Sequence, residues 1–214
     1  MHKQRVIAYI DGFNLFYSCL KGTNNKWLDL WSLCESLLLP NQELIEIRYF
    51  SAPVGSFRGD SNRSNRQHVY LEALQVNQKI IVKLGYFSVH KIKAPLASDW
   101  DDGRITQVEV VKTEEKGSDV NLAVQMAVDA VRNRFDYAML FSNDSDMAYS
   151  VQIAVAECNK KVGLYIDNKA KSYRVLRENV HYVRKLTQSF LARHQLPDEI
   201  VTKTGRVIKK PQDW

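Results

Sequence analysis

Apolar residues fall along this chain in short runs, each closed by a polar turn and followed by a stretch of helical period. The run Tyr137-Ala138-Met139-Leu140-Phe141 is closed by Ser142-Asn143-Asp144-Ser145-Asp146, which predicts a buried strand ending in an acidic turn. Residues 147–158 then carry Ala148, Val151, Ile153, Ala154, Val155 and Ala156, the content of a helix capped by Asp144 or Ser145. The same unit stands near the beginning, where Val6-Ile7-Ala8-Tyr9-Ile10 is closed by Asp11-Gly12-Phe13-Asn14 and followed by Leu15, Phe16, Cys19 and Leu20 at helical spacing. An isolated Asp-Gly-x-Asn reads as a helix cap or a turn; a second strand ending in an acid gives it another meaning.

The remaining periodicity predicts an amphipathic helix over 27–39 with Asp29 as its cap, strands over 44–51 and 79–87, and a further strand over 107–112. Between the last two, residues 91–104 read as a hairpin or long loop. Residues 56–67 form a polar loop bearing Arg58, Arg63 and Arg66 that runs into a helix marked by Val69, Leu71, Leu74 and Val76. A strongly apolar helix covers 120–131, with Asp119 in its first turn, where the helix dipole alone favours a carboxylate. A strand over 160–167, a helix over 170–178, a strand over 180–186 and a helix over 187–194 complete the series. Strand units alternating with helices predict an α/β fold with a mostly parallel, doubly wound sheet and helices on both faces. Residues 195–214 are short of core residues and are open to two readings, a disordered tail or a clasp anchored by Trp214.

Composition narrows the function. The 214 residues, 45% hydrophobic, suffice for one large core. No stretch approaches the roughly 20 apolar residues of a membrane span, and neither a signal peptide nor a membrane segment is expected. Cys19, Cys34 and Cys158 are far apart without a Cys-x-x-Cys pair, so the expected compartment is a reducing cytoplasm. A net charge of +6 suggests a polyanionic partner.

In a parallel sheet Asp11, Asp144 and Asp146 would share one edge, with Asp119 brought alongside. Clustered carboxylates repel one another unless a cation compensates them. Hard oxygen donors suit Mg²⁺ or Mn²⁺, and such a metal with a bound phosphodiester serves hydrolysis. The histidines His2, His90, His181 and His194 fall away from these motifs, and His68 lies only near the arginine loop. No Gly-x-Ser-x-Gly elbow, Walker loop or Gly-x-Gly-x-x-Gly is present.

The stretches Tyr9-Ile10-Asp11-Gly12-Phe13-Asn14-Leu15, Lys116-Gly117-Ser118-Asp119-Val120-Asn121-Leu122-Ala123 and Leu140-Phe141-Ser142-Asn143-Asp144-Ser145-Asp146-Met147, in that order and spacing, resemble the motifs of the LabA-like NYN domain family of the PIN-like nuclease superfamily. The resemblance covers roughly residues 5–186. It implies a PIN-like fold over residues 1–186, followed by a C-terminal helix and basic tail over 187–214. It also implies a metal-dependent ribonuclease whose metal is held by Asp11, Asp119, Asp144 and Asp146, with Asn14 and Ser142 lining the same site. Two positions depart from the family pattern. Gln125 replaces a frequent acid, which leaves the acid count and the metal number open, and Asn143 replaces a glycine, where asparagine tolerates a left-handed backbone.

Asn14 and Ser142 are the expected contacts to the phosphate, and Arg58, Arg63 and Arg66 those to the rest of the RNA backbone. Two functional readings follow: a ribonuclease, or a catalytically weak RNA- or nucleotide-binding module acting through a protein partner. An aspartate-nucleophile phosphatase would need an acid where Phe13 stands. A homodimer through an exposed sheet edge is compatible with either reading.

Overall fold

A computed structural model of the chain describes residues 3–55, 60, 62–100, 105–167, 174–212 and 214. The two acid-terminated runs become β1 (Gln4–Asp11) and β6 (Tyr137–Phe141), parallel neighbours at the centre of a six-stranded sheet. β1 pairs on its other side with β2 (Gln42–Ser51), which pairs with β3 (Ile80–Leu84). β6 pairs with β7 (Lys161–Asp167), and β7 with β8 (Tyr182–Leu186). All of these pairings are parallel, in the order β3-β2-β1-β6-β7-β8.

Val6 to Ile10 and Tyr137 to Phe141 are buried throughout, the condition of parallel strands covered on both faces. Alternation divides them between two cores. Val6, Ala8, Ile10, Met139 and Phe141 pack with Trp27, with Leu33 of α2 (Leu30–Glu35) and with Tyr70 and Leu74 of α3 (Arg63–Gln75). Ile7, Tyr9, Ala138 and Leu140 pack with Leu122 and Met126 of α5 (Ser118–Val131), and with Val151 of α6 (Ala148–Gln152). A fully buried leucine in such a layer contributes about 1.5–3 kcal/mol.

The chain winds away from β1 towards β2 on one side and away from β6 towards β7 on the other. The carboxyl ends of β1 and β6 are therefore the switch point at which open α/β sheets place ligands. β1 runs into the short helix α1 (Gly12–Leu15), which continues as a wider π-type turn over Phe16–Leu20.

Several expectations are corrected. The strand expected over 79–87 divides at Gly85, whose N–H donates to the Ser51 carbonyl at 2.7 Å. A side chain at Gly85 would meet the Lys116 carbonyl oxygen at 2.3 Å, so this crossing requires glycine. Beyond it, β4 (Tyr86–Pro95) and β5 (Gln107–Lys116) form an antiparallel ribbon separate from the main sheet. Of the two readings of 91–104 the hairpin holds: residues 91–95 belong to its first strand, and a short helix, α4 (Ala97–Trp100), follows them.

The helix expected over 27–39 is confined to α2, because Trp27 and Leu28 bond instead to the C-terminal chain; Asp29 does cap it, accepting the Ser32 N–H at 3.0 Å. The helix expected over 147–158 is three segments: a 3₁₀ turn at Ser145–Met147, α6, and a π turn at Ile153–Glu157. Of the helix expected over 170–178, the described part is α7 (Arg174–Arg177).

After α8 (Gln188–Leu191) the tail is a clasp. β9 (Glu199–Val201) and β10 (Val207–Lys209) form a small hairpin, the Trp27 indole N–H donates to the Pro197 carbonyl at 2.9 Å, and Trp214 lies 6.0 Å from Trp27 and 5.4 Å from Tyr70.

Candidate active site

The register that sets Ile10 against Phe141 puts Asp11 beside Ser142 at the sheet edge. Asp11 ends β1 and caps α1, and it is 5% exposed. Its Oδ1 accepts the Asn14 backbone N–H at 2.8 Å, and its Oδ2 accepts the Ser142 hydroxyl at 3.3 Å. Burial pushes its pKa up to about 6, with the charges of Asp119 and Asp144 adding to the rise and the two hydrogen bonds opposing it.

The next turn is built the same way. Asp144 caps the 3₁₀ turn by accepting the Asp146 N–H at 3.0 Å, and its own N–H donates to the Ser142 oxygen at 3.1 Å. Asp119 stands in the first turn of α5, just after Gly117, whose φ of 93° lies in the left-handed region that glycine adopts without strain. Burial raises the Asp119 carboxyl, and Glu115, Asp144 and Asp146 raise it further. The four predicted acids are therefore brought together electrostatically, and none of them forms an ion pair with a lysine or arginine among the described residues.

Among the described residues no three acids already converge as a ligand set. The donors nevertheless fit a hard cation: the oxygens are carboxylates, none of them pairs with a lysine or arginine among the described residues, and Mg²⁺ needs only one or two of them beside its waters.

Other predicted residues take places that differ from expectation. The Asn14 amide donates to Asn143 Oδ1 at 2.6 Å and accepts the Asn143 N–H at 3.3 Å, tying the two turns together. Asn143 does not use the left-handed region, in contrast to Asn133 and Asn159; its side chain, not its backbone freedom, explains it. Ser142 is buried, and its hydroxyl donates to Asp11 and accepts the Asp144 N–H.

Gln125 lies outside the acidic edge. Its amide donates to Asp129 Oδ1 at 3.1 Å, in a buried network where Asp129 also accepts from the Tyr9 hydroxyl at 2.8 Å and pairs with Arg48 at 3.0 Å. His68 is an exposed residue of α3, 3.5 Å from Glu72.

The arginines are displaced from their expected loop. Arg63 and Arg66 stand in the first turn of α3, while Arg58 lies outside the described residues. Arg63 donates to the Tyr17 hydroxyl at 2.9 Å, and Arg66 is paired with Asp60. Both line a cleft that opens beside Gly12 and Phe13, in the turn that follows Asp11.

Sequence reasoning missed three features here. Glu115 caps α5 by accepting the Ser118 N–H at 3.1 Å and reinforces the negative charge on Asp119; its place two residues before Gly117 was the available signal. The Asn14–Asn143 pair and the aromatic cleft carried no local signal.

The NYN domain matches residues 5–187 of the chain. The chain is 31% identical over 237 aligned positions to the 6-hydroxy-3-succinoylpyridine 3-monooxygenase of Pseudomonas putida, spanning 98% of this chain and 75% of that protein. In structure it resembles a protein of unknown function from Vibrio parahaemolyticus, with a TM-score of 0.55 at 15% identity over 91% of this chain and 98% of the other. That likeness concerns the fold alone.

Proposed function

The chain belongs to the NYN domain family, and from that membership we propose that it is a metal-dependent ribonuclease, hydrolysing RNA phosphodiester bonds at the carboxyl ends of β1 and β6. The observation that carries the proposal is the cluster of Asp11, Asp119, Asp144 and Asp146, which has no lysine or arginine partner among the described residues, with Asp11 buried at a cost that a cation would offset. Within the family, the resemblance of the three motifs supports a LabA-like assignment. We also propose the cytoplasm as its compartment and leave a homodimer through the outer strands β3 or β8 compatible with this site.

Asp11 and Asp144 would hold Mg²⁺ or Mn²⁺, with Asp119 and Asp146 completing the set or positioning water. What the metal supplies when bound is neutralisation of phosphoryl charge and a water of lowered pKa. Asp119, whose carboxyl is raised by burial and by its acidic neighbours, would accept a hydrogen bond from the attacking water and take its proton. Ser142 fixes Asp11 and Asp144 relative to each other, and Asn14 with Asn143 holds the two turns at constant separation. Arg63, on the neighbouring helix, holds the strand's phosphates without reading its sequence.

One observation favours a second reading. The Pseudomonas relative is named a monooxygenase of a pyridine compound, so this chain would on that reading hydroxylate a small heteroaromatic acid, with its acids serving structure. The test sets the two side by side. Purified protein is given labelled single-stranded RNA in Mg²⁺, Mn²⁺ or chelator, and separately 6-hydroxy-3-succinoylpyridine with a reduced nicotinamide and oxygen. Metal-dependent cutting supports the nuclease. Pyridine-dependent consumption of the nicotinamide without cutting replaces it, and RNA binding without either reaction leaves the binding module.

A further inference from the structure

The cleft beside the turn that carries Asp11 is open to solvent and has a volume of about 110 Å³. Phe13, Phe16, Tyr49 and Trp214 wall it, and Lys26 and Arg63 stand in the same lining. Aromatic walls with cations beside them suit a flat ring that carries an anion. The Phe13 ring lies 6.3 Å from Tyr17 in a stacked arrangement and 5.8 Å from Phe87 edge-on, so its orientation is fixed by neighbours on two sides.

Gly12 joins the cleft to the acids. A Cβ there would overlap the Tyr49 hydroxyl at 2.4 Å, so glycine lets the Tyr49 ring lie directly against the turn that carries Asp11. The carboxylate of Asp11 and the aromatic wall at Phe13 thus stand two residues apart in one turn, so a nucleotide laid along that turn would meet both. Arg66 contributes less charge, being paired with Asp60.

The geometry points to a base-binding cleft: it takes one unstacked nucleobase of the RNA strand whose phosphate lies at the acidic edge, with Lys26 and Arg63 holding the adjoining phosphate. The inference rests on the ribonuclease reading and adds a substrate requirement to it, a single-stranded nucleotide at the cut. Base–aromatic stacking tolerates any base, so the cleft demands an unpaired nucleotide more than a particular one.

The experiment is calorimetric titration of the full-length protein, in chelator, with nucleoside 5′-monophosphates, ribose 5-phosphate and nicotinate, for wild type, Phe13→Ala and Lys26→Glu. Nucleotides should bind at least about tenfold more tightly than ribose 5-phosphate. Phe13→Ala should remove most of that difference, and Lys26→Glu should weaken both phosphates alike. Equal affinity of wild type for nucleotide and ribose 5-phosphate overturns the inference, as does nicotinate binding more tightly than every nucleotide; both comparisons use wild type and need no variant to fold. RNA cutting is scored on the same preparations. Cutting without base discrimination rejects the cleft and leaves the nuclease, whereas base discrimination without cutting rejects the nuclease and leaves a nucleotide site.

Discussion

Asp11→Asn should make the metal-free protein more stable while abolishing its stabilisation by metal. Burial, reinforced by Asp119 and Asp144, lifts the Asp11 carboxyl from its ordinary 3.8 to about 6. At neutral pH the folded chain therefore holds the carboxylate less well than the neutral acid, by about 3 kcal/mol. That figure already includes the hydrogen bonds from Asn14 and Ser142. An asparagine keeps its Oδ1 towards the Asn14 N–H and turns its amide to the Ser142 oxygen, which has a lone pair to accept it.

An imperfect fit of the amide reduces the gain to about 1–3 kcal/mol, or roughly 2–10 °C for a chain of this size. The sign with pH follows from the direction of the shift. A carboxyl whose folded pKa exceeds its unfolded one binds its proton more tightly when folded, so wild-type stability should rise as pH falls from above 6 towards 4. The difference between wild type and variant isolates that contribution. Differential scanning calorimetry in chelator, at pH about 7.5 and about 5, reads it; repetition in Mg²⁺ should stabilise wild type alone. A variant less stable than wild type in chelator at the higher pH would refute the reasoning.

Three further outcomes are expected. Arg48→Ala leaves the buried Asp129 without its cation, while Glu46 keeps Arg134 at 3.7 Å, and should cost about 3–5 kcal/mol in denaturant unfolding; a loss below about 1 kcal/mol would mean that water or rearrangement already screens Asp129. Trp214→Ala should cost about 2 kcal/mol by removing the ring that meets Trp27 and Tyr70, and a neutral effect would show that the clasp adds nothing to the core. Arg63→Ala should lower the salt slope of RNA binding by about one, whereas Arg66→Ala, whose guanidinium is already paired with Asp60, should lower it less; equal slopes would contradict that difference.

The central pair of strands was legible because burial on both faces demands unbroken apolar runs, and such runs stand at 6–10 and 137–141. Register then placed Asp11 next to the Ser142-to-Asp146 turn without any further information. What escaped depends on contacts distant in sequence. Gly85 splits an apparently continuous strand because the backbone of Lys116 crosses there. Leu28 fits a helical pattern equally well, yet it bridges to Gln195. Asn143 was legible as a turn residue, but its partner Asn14 lies 129 positions away. The cleft gathers Phe13, Tyr49, Arg63 and Trp214 from four separate segments, and no local period announces it.

The central claim, that the acidic edge holds a metal and cuts RNA, is tested most directly by the cleavage rate of labelled single-stranded RNA in Mg²⁺ by wild type and by Asp144→Asn, with chelator as control. The account predicts metal-dependent cutting by wild type and none by the variant, whose amide supplies no charge to the cation while still capping the 3₁₀ turn through its oxygen. A folded Asp144→Asn that cuts at the wild-type rate, or a wild type that cuts equally in chelator, would contradict it.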